Sequence, residues 1–398
     1  MREDTTGSEG GMIEWRVNGW CRSVEPATQM GSRCIIFQDP GKSTATKEGR
    51  LLSPENSSRR EFLQLAAAAA SVTTLAESVM AQTSSASATG MPTRILGRTG
   101  VRVSILGVGG AHAGRIPGAE GERFVHMAVD EGITFFDNAW DYNGGTAEEV
   151  MGRNLASGYR NKVFLMTKNC GRDYKDSMTC LDDSLRRLRT DHLDLWQFHE
   201  INYDNDPDWV MERGALKAAI EARKAGKVRF IGFTGHKHPS IHLQALGKDF
   251  AWETSQMPNN VMDAQFRSFR NNVMPVCLKK RVGVIGMKGL GGRDGILLGK
   301  EGLTYEECLR YCFSQPVTTQ VVGMTSVEQL RENIAVARNF KPLSSVESNS
   351  LLARVKEVAS DGRYELFKTN NDFDSDIHRM QHGMPPRGDP AAVPRING

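Results

Sequence analysis

No CxxC pair occurs among the seven cysteines of this 398-residue chain, which sets aside an iron–sulfur or structural zinc framework. Cys21 and Cys34 fall in a stretch without periodicity, whereas Cys308 and Cys312, four apart, share one helix face as small core residues. Charge of one sign is also scarce. Fifty basic side chains against 47 acidic ones leave +3, so nucleic acid has no electrostatic case as a partner. No apolar run is long and hydrophobic enough for a permanent membrane span, which takes about 20 residues. A GxGxxG fingerprint is missing as well, because Gly107, Gly109 and Gly110 have the wrong spacing after the first expected strand. DPGKST at 39–44 is not a phosphate loop: Ile36 stands where the first glycine belongs, and no strand leads into a helix there.

What is present is ordinary globular composition, 39% hydrophobic and 24% charged, in a chain long enough for one large domain with additions or for two. Residues 1–57 are polar and aperiodic and are expected to be a disordered leader. Over 58–82 the run Ser58-Arg59-Arg60-Glu61-Phe62-Leu63 precedes a mild Ala-rich stretch and the small-residue end Val79-Met80-Ala81. This run resembles a bacterial twin-arginine signal. That resemblance implies folded export, the export machinery as a partner, and a periplasmic location, or a cytoplasmic one if the signal is not used. Translation from Met30 would bring the signal nearer the N-terminus. Residues 83–92 read as a linker, 93–341 as the folded body, and 342–398 as a C-terminal helix at 344–359 plus an extension. Tyr364, Phe367 and Phe373 need burial, so the extension is expected to be strapped on near the mouth of the body.

Arg94–Leu96, a turn at 97–100 and Val101–Val103 predict a hairpin. Short apolar runs at 104–108, 133–137, 163–168, 193–198, 228–234, 252–257, 283–288 and 318–323 then alternate with helical patterns. Met178, Leu181, Leu185 and Leu188 form one apolar stripe, and Val327, Leu330, Ile334 and Ala337 another. Thr146 with Glu149, Thr304 with Glu307, and Ser326 with Gln329 fit capping boxes. Eight strand–helix units over about 250 residues predict an α/β fold, a (β/α)8 TIM barrel with an N-terminal hairpin and a C-terminal extension. A doubly wound sheet is the alternative.

In such a barrel, chemistry sits at the C-terminal ends of the strands. Asp137 ends the second strand and Tyr142 follows in its loop; Lys168 ends the third, and His199 follows the fourth. A phenol with a reference pKa of about 10 is a poor acid near neutrality, and a buried ammonium beside it is expected to lower that pKa. A carboxylate would hold the ammonium, and an imidazole would donate to a carbonyl oxygen. Together they equip a site to protonate a carbonyl once a hydride is supplied.

These segments carry a resemblance. FFDNAWDYNGG, VFLMTK and LDLWQFHE, in order and properly spaced, resemble the aldo-keto reductase superfamily over about 93–340. The resemblance implies reversible NAD(P)H-dependent carbonyl reduction, with Tyr142 as general acid, Lys168 and Asp137 as its tuning pair, and His199 as orienting donor. It further implies nucleotide contacts from Gln256, from Gly323-Met324-Thr325 at the head of the last helix, and from Glu332 and Asn333. Thr234-Gly235-His236 replaces the usual Ser-Asn, and Lys288 stands near the stacking position, where a solvated lysine is the other explanation. NADP(H) is expected ahead of NAD(H), although Gly323 and Gln329 occupy positions often basic in NADP-preferring members. His112, Trp140 and His236 are expected around the substrate pocket. No metal is expected, a site built from His199, His236 and His238 lacking an obvious further ligand. A non-catalytic nucleotide-binding sensor or subunit, and an isomerase with retained nucleotide, are the competing functions.

Overall fold

The computed structural model describes residues 85–156, 158–292 and 295–387. The leader, the twin-arginine-type run and the last residues of the chain lie outside them. Eight parallel strands close into a barrel: β4 (Leu106–Gly109), β5 (Phe135–Asp137), β6 (Phe164–Asn169), β7 (Leu193–Phe198), β8 (Val228–Thr234), β9 (Thr254–Pro258), β10 (Gly283–Met287) and β11 (Thr319–Val322), with β11 pairing back onto β4. Each lies within or beside a run expected from the sequence. A three-stranded antiparallel sheet precedes them: β1 (Ser85–Ala86), β2 (Pro92–Ile95) and β3 (Arg102–Ser104). Part of the expected linker is therefore a strand.

Alternation along the strands decides what reaches the mouth. Phe135, Phe164, Leu195 and Ile285 pack inside the barrel with Leu96 and Val103 of the hairpin, which closes the floor. Their neighbours Phe136, Leu165, Trp196 and Val284 join the outer layer against the helices. Gly97 makes the floor contact possible, because a Cβ there would stand 2.2 Å from the Gly283 backbone nitrogen. Counting by twos from Phe135 and Phe164, paired across β5 and β6, brings Asp137 and Lys168 to the inner face at the opposite end.

The helices bury the expected stripes. Leu181 and Leu188 are fully buried on Tyr174–Leu188, and Val327, Leu330, Ile334 and Ala337 are buried on Val327–Arg338. Cys308 and Cys312 are buried on one face of Tyr305–Ser314, which starts with the expected Thr304–Glu307 capping box. Two caps differ. Thr146 lies inside its helix, behind an N-cap at Gly145, because Asn143, Gly144 and Gly145 all take positive φ and the turn delivers the chain directly into the helix. Ser326 caps Gln329 N, but the Gln329 side chain accepts from Thr325 N, one residue earlier.

Past the helix Ser345–Val355 the chain crosses the C-terminal rim as a strap. Its anchor is Lys368, fully buried, donating to Asp263 Oδ1 at 2.7 Å, Glu365 Oε2 at 2.8 Å and Phe266 O at 2.8 Å. Asn260 donates to the other Glu365 oxygen. Burial first, with the Asp263 charge against it, pushes the Glu365 carboxyl up to about 7 from 4.5 despite Lys368. A raised acid takes up a proton on folding, so this group's contribution to stability falls as pH rises from about 4.5 to about 7. Lys368→Met leaves two buried carboxyls without a counter-charge and is expected to cost about 3–5 kcal/mol. Thermal melts should show a larger Tm loss at pH 8 than at pH 5.

Candidate active site

Lys168 is 1% exposed, and its ammonium has three hydrogens and three acceptors: Asp137 Oδ1 at 2.8 Å, Asn138 O at 2.6 Å and Tyr142 Oη at 3.1 Å. An ammonium only donates, so Tyr142 Oη is the acceptor and its own hydrogen is directed elsewhere. Lys168 Nζ also lies 4.5 Å from the centroid of the Tyr142 ring. The ring meets His199 edge-on at 5.5 Å. The left-handed turn at Asn143, braced by its amide on Ala111 O, holds Tyr142 at the rim. The four residues expected to converge therefore do so at one end of the barrel.

One expectation is overturned. The phenol of Tyr142 sits well above its ordinary value, first because it is buried and then because Asp137, Asp141 and Glu200 carry negative charge around it. Lys168 holds the oxygen without reversing that balance. The consequence is a phenol that stays protonated.

Gln256 donates through Nε2 to Asp137 Oδ2 at 2.8 Å, which fixes its amide and leaves Oε1 buried without a partner. An orphaned acceptor beside the lysine–tyrosine pair fits the amide hydrogens of a nicotinamide carboxamide. Thr234 is buried at the end of β8. Lys288, with φ 55, places its ammonium 5.2 and 5.0 Å from the rings of Phe367 and Phe373 in the strap. Burial brings its pKa down to about 8. Gly323 and Thr325 are exposed before the helix Val327–Arg338 and Met324 is buried; a Cβ on Gly323 would meet the His112 ring at 2.4 Å. Along that helix Glu332 is exposed, whereas Asn333 is buried and donates to Gln329 O.

The expected pocket residues are not brought together. His112 is exposed beside Gly323. Trp140 turns outward, donating to Asp183 with Arg187 over its ring. His236 is buried and tied to Phe367 O, Glu200 and Asn202.

Several rim residues were not singled out from the sequence, although Glu200 closes the LDLWQFHE segment. Glu200 accepts from Ser375 N at 2.7 Å. Asp374 accepts from Asn202 and Tyr203 and pairs with Lys237 at 3.0 Å. His378 meets His199 edge-on at 5.6 Å. All these ties join strap to barrel across long sequence separations. Asp141 was within the motif, next to Tyr142, but its neighbours come from elsewhere. Burial raises the carboxyls of Asp141 and Glu200, yet their contacts with the rim histidines, His199 first, outweigh it and hold both below the usual range.

The model of the aldo/keto reductase family matches residues 105–307, the stretch that carries Asp137, Tyr142, Lys168, His199, Gln256 and Lys288. The chain belongs to the aldo/keto reductase family. It is an NAD(P)H-dependent oxidoreductase, and carbonyl reduction is the family's general reaction. Among curated proteins it is 26% identical to the L-galactose dehydrogenase of Arabidopsis thaliana over 299 residues, 63% of this chain and 89% of that one. It is 32% identical to an uncharacterized oxidoreductase of Bacillus subtilis over 297 residues, 60% of this chain and 89% of that one. An aldo-keto reductase of Bacillus halodurans solved in its holo form matches with a TM-score of 0.57 at 23% identity, covering 69% of this chain and 99% of that structure, a likeness of fold.

The rim rests on Asp206, fully buried, which takes Arg172 Nε at 2.8 Å and the amides of Asn202 and Tyr203. Burial raises this carboxyl, but the Arg172 charge and the bonds from His382 and Arg172 bring it below the usual carboxylate range. A depressed carboxyl contributes stability above its unfolded pKa of 3.8 and loses it as pH falls. Asp206→Asn strands Arg172 and is expected to cost about 3–5 kcal/mol at neutral pH. Urea melts from pH 7 to pH 3 should show that cost shrinking towards acid.

Proposed function

We propose that this chain reduces an aldehyde or ketone, with Tyr142 handing its phenolic proton to the carbonyl oxygen. The observation that carries this is the fully used Lys168 ammonium: it donates to Tyr142 Oη, so the phenol's own hydrogen is left for a substrate. The phenol's raised pKa keeps that proton loaded at working pH, the state a general acid needs. Asp137 holds the ammonium, and Gln256 holds Asp137 from its other oxygen. His199, whose ring meets that of Tyr142 edge-on, is proposed to donate to the same carbonyl oxygen. Gln256, Thr234, Lys288, Gly323, Met324, Thr325, Glu332 and Asn333 are proposed to hold the nucleotide, which when bound supplies the hydride. NADP(H) is proposed ahead of NAD(H), as the resemblance implies. The Gln329 side-chain oxygen accepts from Thr325 N, and the ratio of the two dissociation constants measures the preference.

Tyr142→Phe is expected to lower kcat/KM on a carbonyl panel by about 10²–10⁴-fold with nucleotide affinity retained. Sugar aldehydes belong in that panel, given the names of two relatives, L-galactose dehydrogenase and the 6-dehydroglucose reductase of Novosphingobium aromaticivorans. Equal rates would remove Tyr142 from the mechanism. They would also favour a sensor or subunit.

We also propose export in folded form through the run Arg59-Arg60, with the nucleotide kept bound beneath the strap and recycled by a second substrate. Lysine pairs at both arginines are expected to leave the protein in the cytoplasm on fractionation. Exported protein carrying no nicotinamide absorbance would overturn retention.

A further inference from the structure

Three buried side chains meet beside Tyr142 without taking part in the lysine–phenol contact. Cys170, just past β6, is 1% exposed, His199 is 3% and His378, in the strap helix Asp376–Gln381, is 0%. Cys170 Sγ lies 3.6 Å from His199 Nδ1, and one ligand atom from each residue lies within 4.8 Å of the other two. Around a tetrahedral ion with Zn–N of about 2.1 Å and Zn–S of about 2.3 Å, neighbouring donors stand about 3.4–3.6 Å apart.

Hydrogen bonding fixes the state of His378. The Cys170 carbonyl only accepts, so it takes the Gln381 amide hydrogen at 2.9 Å. That turns Gln381 Oε1 towards His378 Nδ1 at 3.0 Å, and the ring nitrogen there must donate. His378 Nε2 is then a bare lone pair, fully buried and without a partner among the described residues. Such a tautomer, pinned through the far nitrogen, is how a ligating histidine is held.

The geometry points to a buried zinc-type metal site, with Cys170 Sγ, His199 Nδ1 and His378 Nε2 as its protein ligands and a fourth position for water. One thiolate and two imidazoles suit Zn²⁺ and its soft-to-borderline neighbours, not Mg²⁺ or Ca²⁺. On binding, the Cys170 S–H bond breaks, the sulfur's electron pair goes to the metal and the proton leaves to solvent; nothing is oxidised or reduced. Asp141 Oδ1, 3.0 Å from His199 Nδ1 yet without a hydrogen bond, is an acceptor beside the ion for the water's hydrogen.

Two consequences follow. The ion clasps the strap to the barrel. It also forces the His199 proton onto Nε2, the form that donates to a substrate oxygen; this second point alone rests on the proposed function. The sequence expectation weighed His199 with His236 and His238. His236 is instead tied to Phe367 O and Glu200, and His238 caps the helix Pro239–Gly247.

The test is titration of the full chain, stripped with chelator, with Co²⁺ and then Zn²⁺. One Co²⁺ per chain is expected, with a thiolate-to-cobalt charge-transfer band and tetrahedral d–d bands, bleached by one equivalent of Zn²⁺. Cys170→Ser should abolish the charge-transfer band. Gln381→Leu, which leaves all three ligands in place, should weaken Zn²⁺ by about 10–100-fold. No thiolate band in the wild type, or equal affinity in wild type and Gln381→Leu, would overturn the site. Both readouts stand apart from turnover, so an inactive chain that binds cobalt would contradict the catalytic role of Tyr142 and not the metal site.

Discussion

Everything at the barrel mouth is organised around a lysine ammonium that has no freedom left. Lys168 is buried, and burial of a cation is tolerated only when each hydrogen finds an acceptor and a counter-charge is near. Asp137 supplies the charge, and the Asn138 carbonyl takes the second hydrogen. The third can go only to Tyr142 Oη, which settles the direction of that bond and turns the phenol's hydrogen outward. Gln256, bracing Asp137 from behind, is oriented by the same constraint, and its side-chain oxygen is left buried without a partner among the described residues. A single saturated cation thus sets the direction of the Tyr142 contact and the orientation of Gln256.

The strap is the second organising element. It is anchored by another buried lysine, Lys368, and reaches across the rim through Phe367, Asp374, Ser375, His378 and Gln381 to loops that follow β6, β7 and β8. Its aromatic rings flank Lys288.

The barrel was legible because parallel strands covered on both faces read as short apolar runs, and the helices between them carry stripes and caps. Asp137, Tyr142, Lys168 and His199 were legible because each sits at or just past the end of such a run, where the fold delivers it to one rim. The direction of the Tyr142 shift was not. It depends on how many carboxylates crowd the phenol, and Glu200 and Asp141 owe their positions to tertiary packing. Trp140, expected in the pocket, faces Asp183 and Arg187 because an adjacent motif residue alone does not fix a rotamer. His378 had no signal, since the extension has no period and its partners lie far back in the chain.

The most direct measurement is single-turnover hydride transfer in the double variant Asp137→Asn/Lys168→Met, which removes both buried charges together and spares the fold an unpaired one. The account expects nucleotide affinity to hold while the transfer rate drops by about 10²–10⁴-fold. An unchanged rate in that variant would contradict it.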